Sequence, residues 1–174
     1  IPPNQYVIYK MTGEAVIDYT SAGNIGGIYD FEKADWSDEM MDILGIPREK
    51  MPERMINPTD VAGYLLEGIA SDIGLPAGIP IFAGCVDCLA STLATGAVDE
   101  MENVIILSTS LNWGVLHNDK PNNFNNISMP YVTDPKHVRH TLSAMSTAGA
   151  LTRWFSETFA PYSPLGKTVM QIPF

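Results

Sequence analysis

Short strand-like and helix-like segments alternate through the second half of the chain, and that alternation leaves few folds open. Residues 79–84 (Ile-Pro-Ile-Phe-Ala-Gly) read as a short buried strand closed by glycine, and residues 88–93 continue as a helix. Residues 103–107 and 113–117 read as two strands around the polar Ser108-Thr109-Ser110-Leu111-Asn112, which makes a β-hairpin. Residues 139–145 alternate polar and apolar side chains as a further strand. Residues 148–159 are amphipathic, with Leu151, Trp154 and Phe155 expected on the inner side of a helix. Strands followed by helices in this way indicate an α/β architecture.

The first half is punctuated more heavily. Residues 6–11 read as the end of a helix stopped by Thr12-Gly13. Asp18 or Thr20 is placed to cap a short helix, and residues 26–31 read as a short extended piece. Asp35-Trp36-Ser37 opens a helix with Ser37 as its N-cap and Met40, Met41 and Leu44 as its apolar stripe; Gly45 and Pro47 stop it. Pro47, Pro52 and Pro58 make residues 47–58 a connector with at most short turns. Residues 64–73 read as a helix closed by Gly74, and residues 121–126 as an Asn-rich loop. Trp36 and Trp154 read as packing residues.

Composition narrows the function classes. At about 150 residues per domain, 174 residues allow one domain or pieces of two. Hydrophobic residues at 45% suffice for a core, and charged residues at 17% fall below the usual quarter or so. The net charge of −10 argues against nucleic acid as a partner, because phosphate backbones need a basic footprint. A small phosphorylated ligand stays open, since a few backbone N–H groups can hold one. No apolar run approaches the ~20 residues of a membrane span. The start, Ile1-Pro2-Pro3-Asn4, has neither the basic nor the apolar region of a signal peptide. Two cysteines are too few for a disulfide scaffold, so a reducing, cytoplasmic setting is expected.

The segment Phe82-Ala83-Gly84-Cys85-Val86-Asp87-Cys88 carries the most chemistry. It sets an acidic residue at the C-terminal end of a strand, the edge where α/β sheets gather ligands. Asp87 there can take a proton from a substrate hydroxyl, or it can simply cap the helix. The Ser108-Thr109-Ser110 tip can cradle a phosphate with hydroxyl and N–H groups, or be a surface turn. Gly149 can let a ligand approach the backbone, or serve a tight strand-to-helix turn. Cys85 and Cys88 form a C-x-x-C and His137 and His140 an H-x-x-H, which together could supply four zinc ligands; the competing reading is buried free thiols. A thioredoxin-like pair is disfavoured by Asp87 between the thiols.

The ordered series Tyr6-Val7-Ile8-Tyr9-Lys10-Met11-Thr12-Gly13, Asp18-Tyr19-Thr20-Ser21-Ala22, Tyr29-Asp30, Trp36, Leu44-Gly45-Ile46-Pro47, Met51-Pro52-Glu53, Gly74-Leu75-Pro76-Ala77-Gly78-Ile79-Pro80 and residues 83–87 resembles the FGGY family of carbohydrate kinases. The resemblance covers nearly the whole chain. It implies an α/β, ribonuclease H-like (actin/hexokinase-like ATPase) fold, present in part and spanning the junction of two domains. Residues 1–77 would close a first, sugar-binding domain, and residues 78–174 would open a second, nucleotide-binding domain.

The resemblance also implies roles. The family's Gly-Asp-Gln segment aligns with Val86-Asp87-Cys88, which makes Asp87 the catalytic base and a substrate contact. Cys88 stands where relatives often carry a substrate-touching Gln or Asn. The family's phosphate hairpin aligns with Ser108-Thr109-Ser110, with Ser108 in place of its first glycine. Gly149 aligns with a glycine beside the nucleotide, and Arg153 takes a position that contacts the nucleotide in relatives. Asp18 reads as a structural cap and packing residue. The expected activity is phosphorylation of a sugar or polyol, of pentulose type, by ATP with Mg²⁺, in an enzyme able to form a homodimer. The family's first phosphate loop and its late glycine-rich adenosine segment do not occur in the sequence. The 174 residues alone are therefore expected to be an inactive central piece. Two other readings remain: a non-catalytic zinc or interaction module built on Cys85, Cys88, His137 and His140, and a sugar-binding kinase homologue without turnover.

Overall fold

The structure, a computed structural model, describes residues 2–118 and 125–159. The Asn-rich stretch lies mostly outside them, as do the last fifteen or so residues.

The chain opens with helix α1 (Pro3–Thr12), which Gly13 ends by returning its N–H to Tyr9. Strand β1 (Val16–Asp18) follows, then helix α2 (Tyr19–Asn24). Asp18 ends the strand and caps the helix: its carboxylate accepts from the N–H groups of Thr20 and Ser21, as its sequence position predicts. A small antiparallel pair joins β2 (Tyr29–Asp30) to β3 (Asp35–Trp36). Helix α3 (Asp38–Leu44) is capped by Ser37, which accepts from the Met40 N–H, and it ends at Gly45.

Residues 47–58 are more than a connector. A short 3-10 turn is followed by strand β4 (Arg54–Ile56), which pairs in parallel with β1. Three prolines hide this strand from local reading, but none falls within it, so its backbone stays free to pair. The helix expected over 64–73 is also corrected. Tyr64 ends strand β5 (Val61–Tyr64), and helix α4 covers only Glu67–Ile73. Strand β6 (Pro80–Phe82) pairs antiparallel with β5, so the apolar run at 61–64 is claimed by a sheet partner that lies later in the chain.

Helix α5 (Asp87–Ala94) leads into a four-stranded antiparallel sheet. Its strands are β7 (Asn103–Leu107), β8 (Leu111–His117), β9 (Ile127–Pro130) and β10 (Arg139–Met145), in the order β7-β8-β10-β9. The expected hairpin is present, with Leu107 opposite Leu111. Side chains alternate across this sheet as period-2 geometry requires. Val104, Leu116, Met129 and Leu142 face inward and bury Leu89 of α5, while Ile105, Leu107 and Trp113 face out. Complete burial of Leu89 contributes about 1.5–3 kcal/mol to holding α5 on the sheet.

Helix α6 (Gly149–Phe159) forms where the amphipathic pattern puts it, but its inner side is not inner. Leu151, Trp154 and Phe155 are all about half exposed, and Ser156 is its buried residue. Among the described residues nothing covers that apolar face; Trp154 and Phe155 instead make ring contacts with Phe159. Trp36 packs as expected, buried at 3% exposure with its indole N–H donating to the Pro52 carbonyl at 2.9 Å.

Two more clusters complete the interior. Ile17, Tyr19, Ile28, Trp36 and Met41 form one, and Ile8, Val16, Ile56, Ala62 and Ala83 the other. Ala83 therefore packs with the first half and Leu89 with the second, so the chain crosses between them at the segment that carries Asp87. Helix α2 bridges the same gap from the other side. It lies so close to β9 that a Cβ on Gly23 would fall 2.1 Å from the Pro130 ring, which no side chain could survive without a shift. The Arg139 guanidinium stacks 4.9 Å from the Phe31 ring in the same region.

Candidate active site

Asp87 sits at the end of the crossing segment, exposed, at the start of α5. The cap position belongs to Val86, whose backbone is extended, so Asp87 is the first helical residue and not the cap. Its Oδ1 accepts from the Cys88 N–H at 2.7 Å, one of the amides that a helix start leaves without a partner. The positive end of the helix dipole favours a carboxylate here.

Two adjoining cavities meet at this residue, and both are lined by Asn24, Val86 and Asp87. One, of about 450 Å³, reaches toward α1 and α2 and is lined also by Asn4, Ser21 and Cys85. The other, of about 270 Å³, lies between α5 and the four-stranded sheet and is lined also by Cys88, Asn112 and His140. Cys88 thus stands beside Asp87 as the sequence implies. The polar groups Asn4, Asn24 and Asn112 escaped the sequence reading, because only tertiary packing brings α1, α2 and β8 to one place and no local pattern announces it.

The electrostatics favour quiet thiols. Burial pushes the Cys85 thiol up, and the nearby Asp18, Cys88 and Asp87 add to this. Burial raises Cys88 as well, with Asp87 as the second cause. Neither is poised as a nucleophile or a metal ligand. His140 is buried on β10, and burial, with His117 nearby, holds its pKa below the ordinary imidazole range. His137 precedes the strand on an exposed turn, with Nδ1 2.9 Å from an Asp134 carboxylate oxygen. The zinc reading is therefore corrected: among the described residues, no group of three or more His, Cys, Asp or Glu side chains could hold a metal ion.

A second constellation forms at the β7–β8 hairpin tip. Thr109, Gly149 and Arg153 line one cavity of about 360 Å³ together with Trp154 and Glu157. The hairpin tip and the α6 start are tied backbone to backbone. The Gly149 N–H donates to the Ser108 carbonyl at 2.9 Å, and the Ala148 N–H donates to the Thr109 carbonyl at 2.8 Å. Gly149 is required by this approach, since a Cβ there would lie 2.5 Å from the Ser108 oxygen. Ser108 takes part through its backbone; its hydroxyl turns to the Ser110 carbonyl at 3.4 Å. Trp154, expected to pack, instead walls this cavity. The arrangement suits an anionic ligand with a backbone-lined edge and a cationic side chain.

Comparison with known proteins shows the family of the chain. A model described as "FGGY family of carbohydrate kinases, N-terminal domain" matches residues 1–94. The chain is similar to a xylulose kinase of Lactococcus lactis, 28% identical over 166 residues that cover 90% of this chain and 31% of that protein. It is similar also to a xylulose kinase of Escherichia coli, 32% identical over 108 residues that cover 62% of this chain and 22% of that protein. The structure of a gluconate kinase from Lactobacillus acidophilus superposes with a TM-score of 0.84 at 24% identity, covering 95% of this chain and 34% of that one. These likenesses assign the α/β, ribonuclease H-like (actin/hexokinase-like) fold. The chain spans about a third of the length of the relatives that match most of it. No helix among the described residues is long and apolar enough to cross a membrane.

Proposed function

We propose a reaction from one premise: the chain belongs to the FGGY family of carbohydrate kinases. The protein of which these residues form a part transfers the γ-phosphoryl group of ATP to a hydroxyl of a sugar or polyol, with pentuloses the favoured class. The observation that carries this reading is the exposed Asp87 carboxylate at the start of α5, open to two adjoining cavities. The names of the xylulose kinase relatives support the substrate class.

Asp87 acts as the base. It accepts the proton of the substrate hydroxyl as that oxygen bonds to the γ-phosphorus; the bond from phosphorus to the β,γ-bridging oxygen breaks, and ADP leaves with that electron pair. Cys88, beside Asp87, touches the sugar. Thr109, Gly149 and Arg153 hold the nucleotide phosphates, with Ser108 contributing its backbone. Gly149 supports this reading by allowing the close approach of α6 to the hairpin tip that brings Thr109 and Arg153 to one cavity. Mg²⁺ accompanying ATP would supply charge neutralisation at the phosphates, which Thr109, Gly149 and Arg153 would hold. What the protein itself provides is positioning and a proton acceptor.

Residues 1–77 close the sugar-side domain and residues 78–174 open the nucleotide-side domain, with β6 reaching back to pair with β5. The setting is cytoplasmic, the full-length enzyme is a candidate homodimer, nucleic acid is not a partner, and the 174 residues alone do not turn over. The test is a screen of the full-length protein with ATP against pentuloses, polyols and aldonates, read as ADP release. Turnover with a pentulose supports the reading. Sugar-dependent thermal shifts without ADP release would instead mark a binding homologue, and silence in both assays would overturn the proposal.

A further inference from the structure

We propose that Thr20, held by the buried Asp18, is a positioning residue that fixes the backbone next to Asp87; the inference rests on Asp87 being the base. Asp18 and Thr20 are both fully buried. The Asp18 carboxylate accepts from the Thr20 N–H at 2.9 Å, the Ser21 N–H at 3.0 Å and the Gln5 side-chain amide at 2.7 Å, and also from the Thr20 hydroxyl. The Val86 N–H donates to the same Thr20 hydroxyl oxygen at 3.0 Å. That bond spans 66 residues and ends on the residue directly before Asp87.

The directions are fixed by chemistry. A backbone N–H can only donate, so the Thr20 oxygen is its acceptor, and the single hydroxyl hydrogen is left to point at Asp18. The result is a one-way chain from Val86 through Thr20 to a carboxylate that three other donors already hold in place. The Thr20 hydroxyl is not needed to cap α2, because the Asp18 carboxylate makes that cap with the backbone N–H groups of Thr20 and Ser21, and any residue but proline at position 20 would supply the first of them. The hydroxyl is surplus to the cap, and its acceptor lone pair serves α5 instead. Helix α5 needs such an anchor, because Val86 stands at its N-cap without a side chain that could make a capping bond.

The chemical consequence lies in geometry. A base must stay within hydrogen-bond reach of the proton it takes, and a misplacement of about 1 Å can cost on the order of 10²-fold. Removal of the hydroxyl frees the backbone preceding Asp87 and leaves the nucleotide cavity untouched, since Thr109, Gly149 and Arg153 belong to other elements.

The experiment compares Thr20→Val, Thr20→Ser and Asp87→Asn in the full-length enzyme. Thr20→Val is expected to lower kcat about 10–100-fold with the KM for ATP within about twofold, and Thr20→Ser to restore kcat to within about threefold of wild type. A kcat for Thr20→Val within about twofold of wild type, or an equal loss in Thr20→Ser, overturns the inference. Wild-type hydrogen exchange gives a readout that needs no variant to fold: the Val86 amide must be protected, and exchange at the rate of an exposed amide overturns the proposal equally. Asp87→Asn separates the two levels. If it retains turnover, the base assignment fails; if it abolishes turnover while Thr20→Val does not, only the positioning role fails.

Discussion

Replacing Gly149 by alanine puts a methyl carbon 2.5 Å from the Ser108 carbonyl oxygen and 3.3 Å from its carbon. Carbon–oxygen contacts in proteins settle at about 3.3–3.6 Å, so the overlap is close to an ångström. Backbone lies on both sides of the contact, and no flexible side-chain end is available to yield. Either α6 retreats or the hairpin tip does, and the bonds from Gly149 to Ser108 and from Ala148 to Thr109 stretch with it. Overpacking of this kind costs about 1–3 kcal/mol. The displacement falls on Thr109 and on the α6 start that carries Arg153, so a nucleotide held as proposed would feel it. Steady-state kinetics of the full-length enzyme, with ATP varied at saturating sugar, should show kcat/KM for ATP lowered about 10–100-fold and the sugar KM within about twofold of wild type. An unchanged kcat/KM for ATP would refute the assignment of this cavity to the nucleotide. A raised sugar KM with normal ATP kinetics would refute it as well.

Other consequences follow from the same coordinates. Ser37→Ala removes the acceptor of the Met40 N–H and should destabilise the protein by about 1 kcal/mol, read as a lower urea midpoint that Ser37→Asp restores; an unchanged midpoint contradicts the cap. The raised thiols of Cys85 and Cys88 make alkylation by iodoacetamide slow near neutrality. The rate should continue to climb at pH values where free cysteine has levelled off, and a plateau already reached by about pH 8 would contradict the shift. The sign for stability is the reverse: a thiol that holds its proton more tightly when folded stabilises below the unfolded thiol pKa, and that contribution is lost as pH rises through the folded value.

How far the sequence could be read depended on whether the signal was local. The Ser37 and Asp18 caps, the hairpin around Thr109 and the amphipathic run of α6 all carry their reason within a few residues, and they form as expected. Strands β1 and β4 do not. Each has three residues and gains its meaning only from pairing with the other across the intervening α2 and α3. The same holds for residues 61–64, where helical spacing and a short strand look alike until β6 supplies the partner. Helix α6 shows the opposite failure: its pattern is right, but periodicity says which side is apolar and not what covers it. At the site, local pattern left Asp87, Thr109 and Gly149 open to a cap, a surface turn and a tight turn, and it is the family resemblance that implies their roles. Thr20 was visible only as a possible cap, since its bond to Val86 is a product of the folded chain.

The central claim is that Asp87 takes the proton of the hydroxyl to be phosphorylated. The most direct test is Asp87→Asn in the full-length enzyme, which keeps size and hydrogen-bonding capacity and removes the base. The account predicts kcat lowered about 10²–10⁴-fold with the KM for ATP near wild type. A kcat within a few-fold of wild type would contradict it.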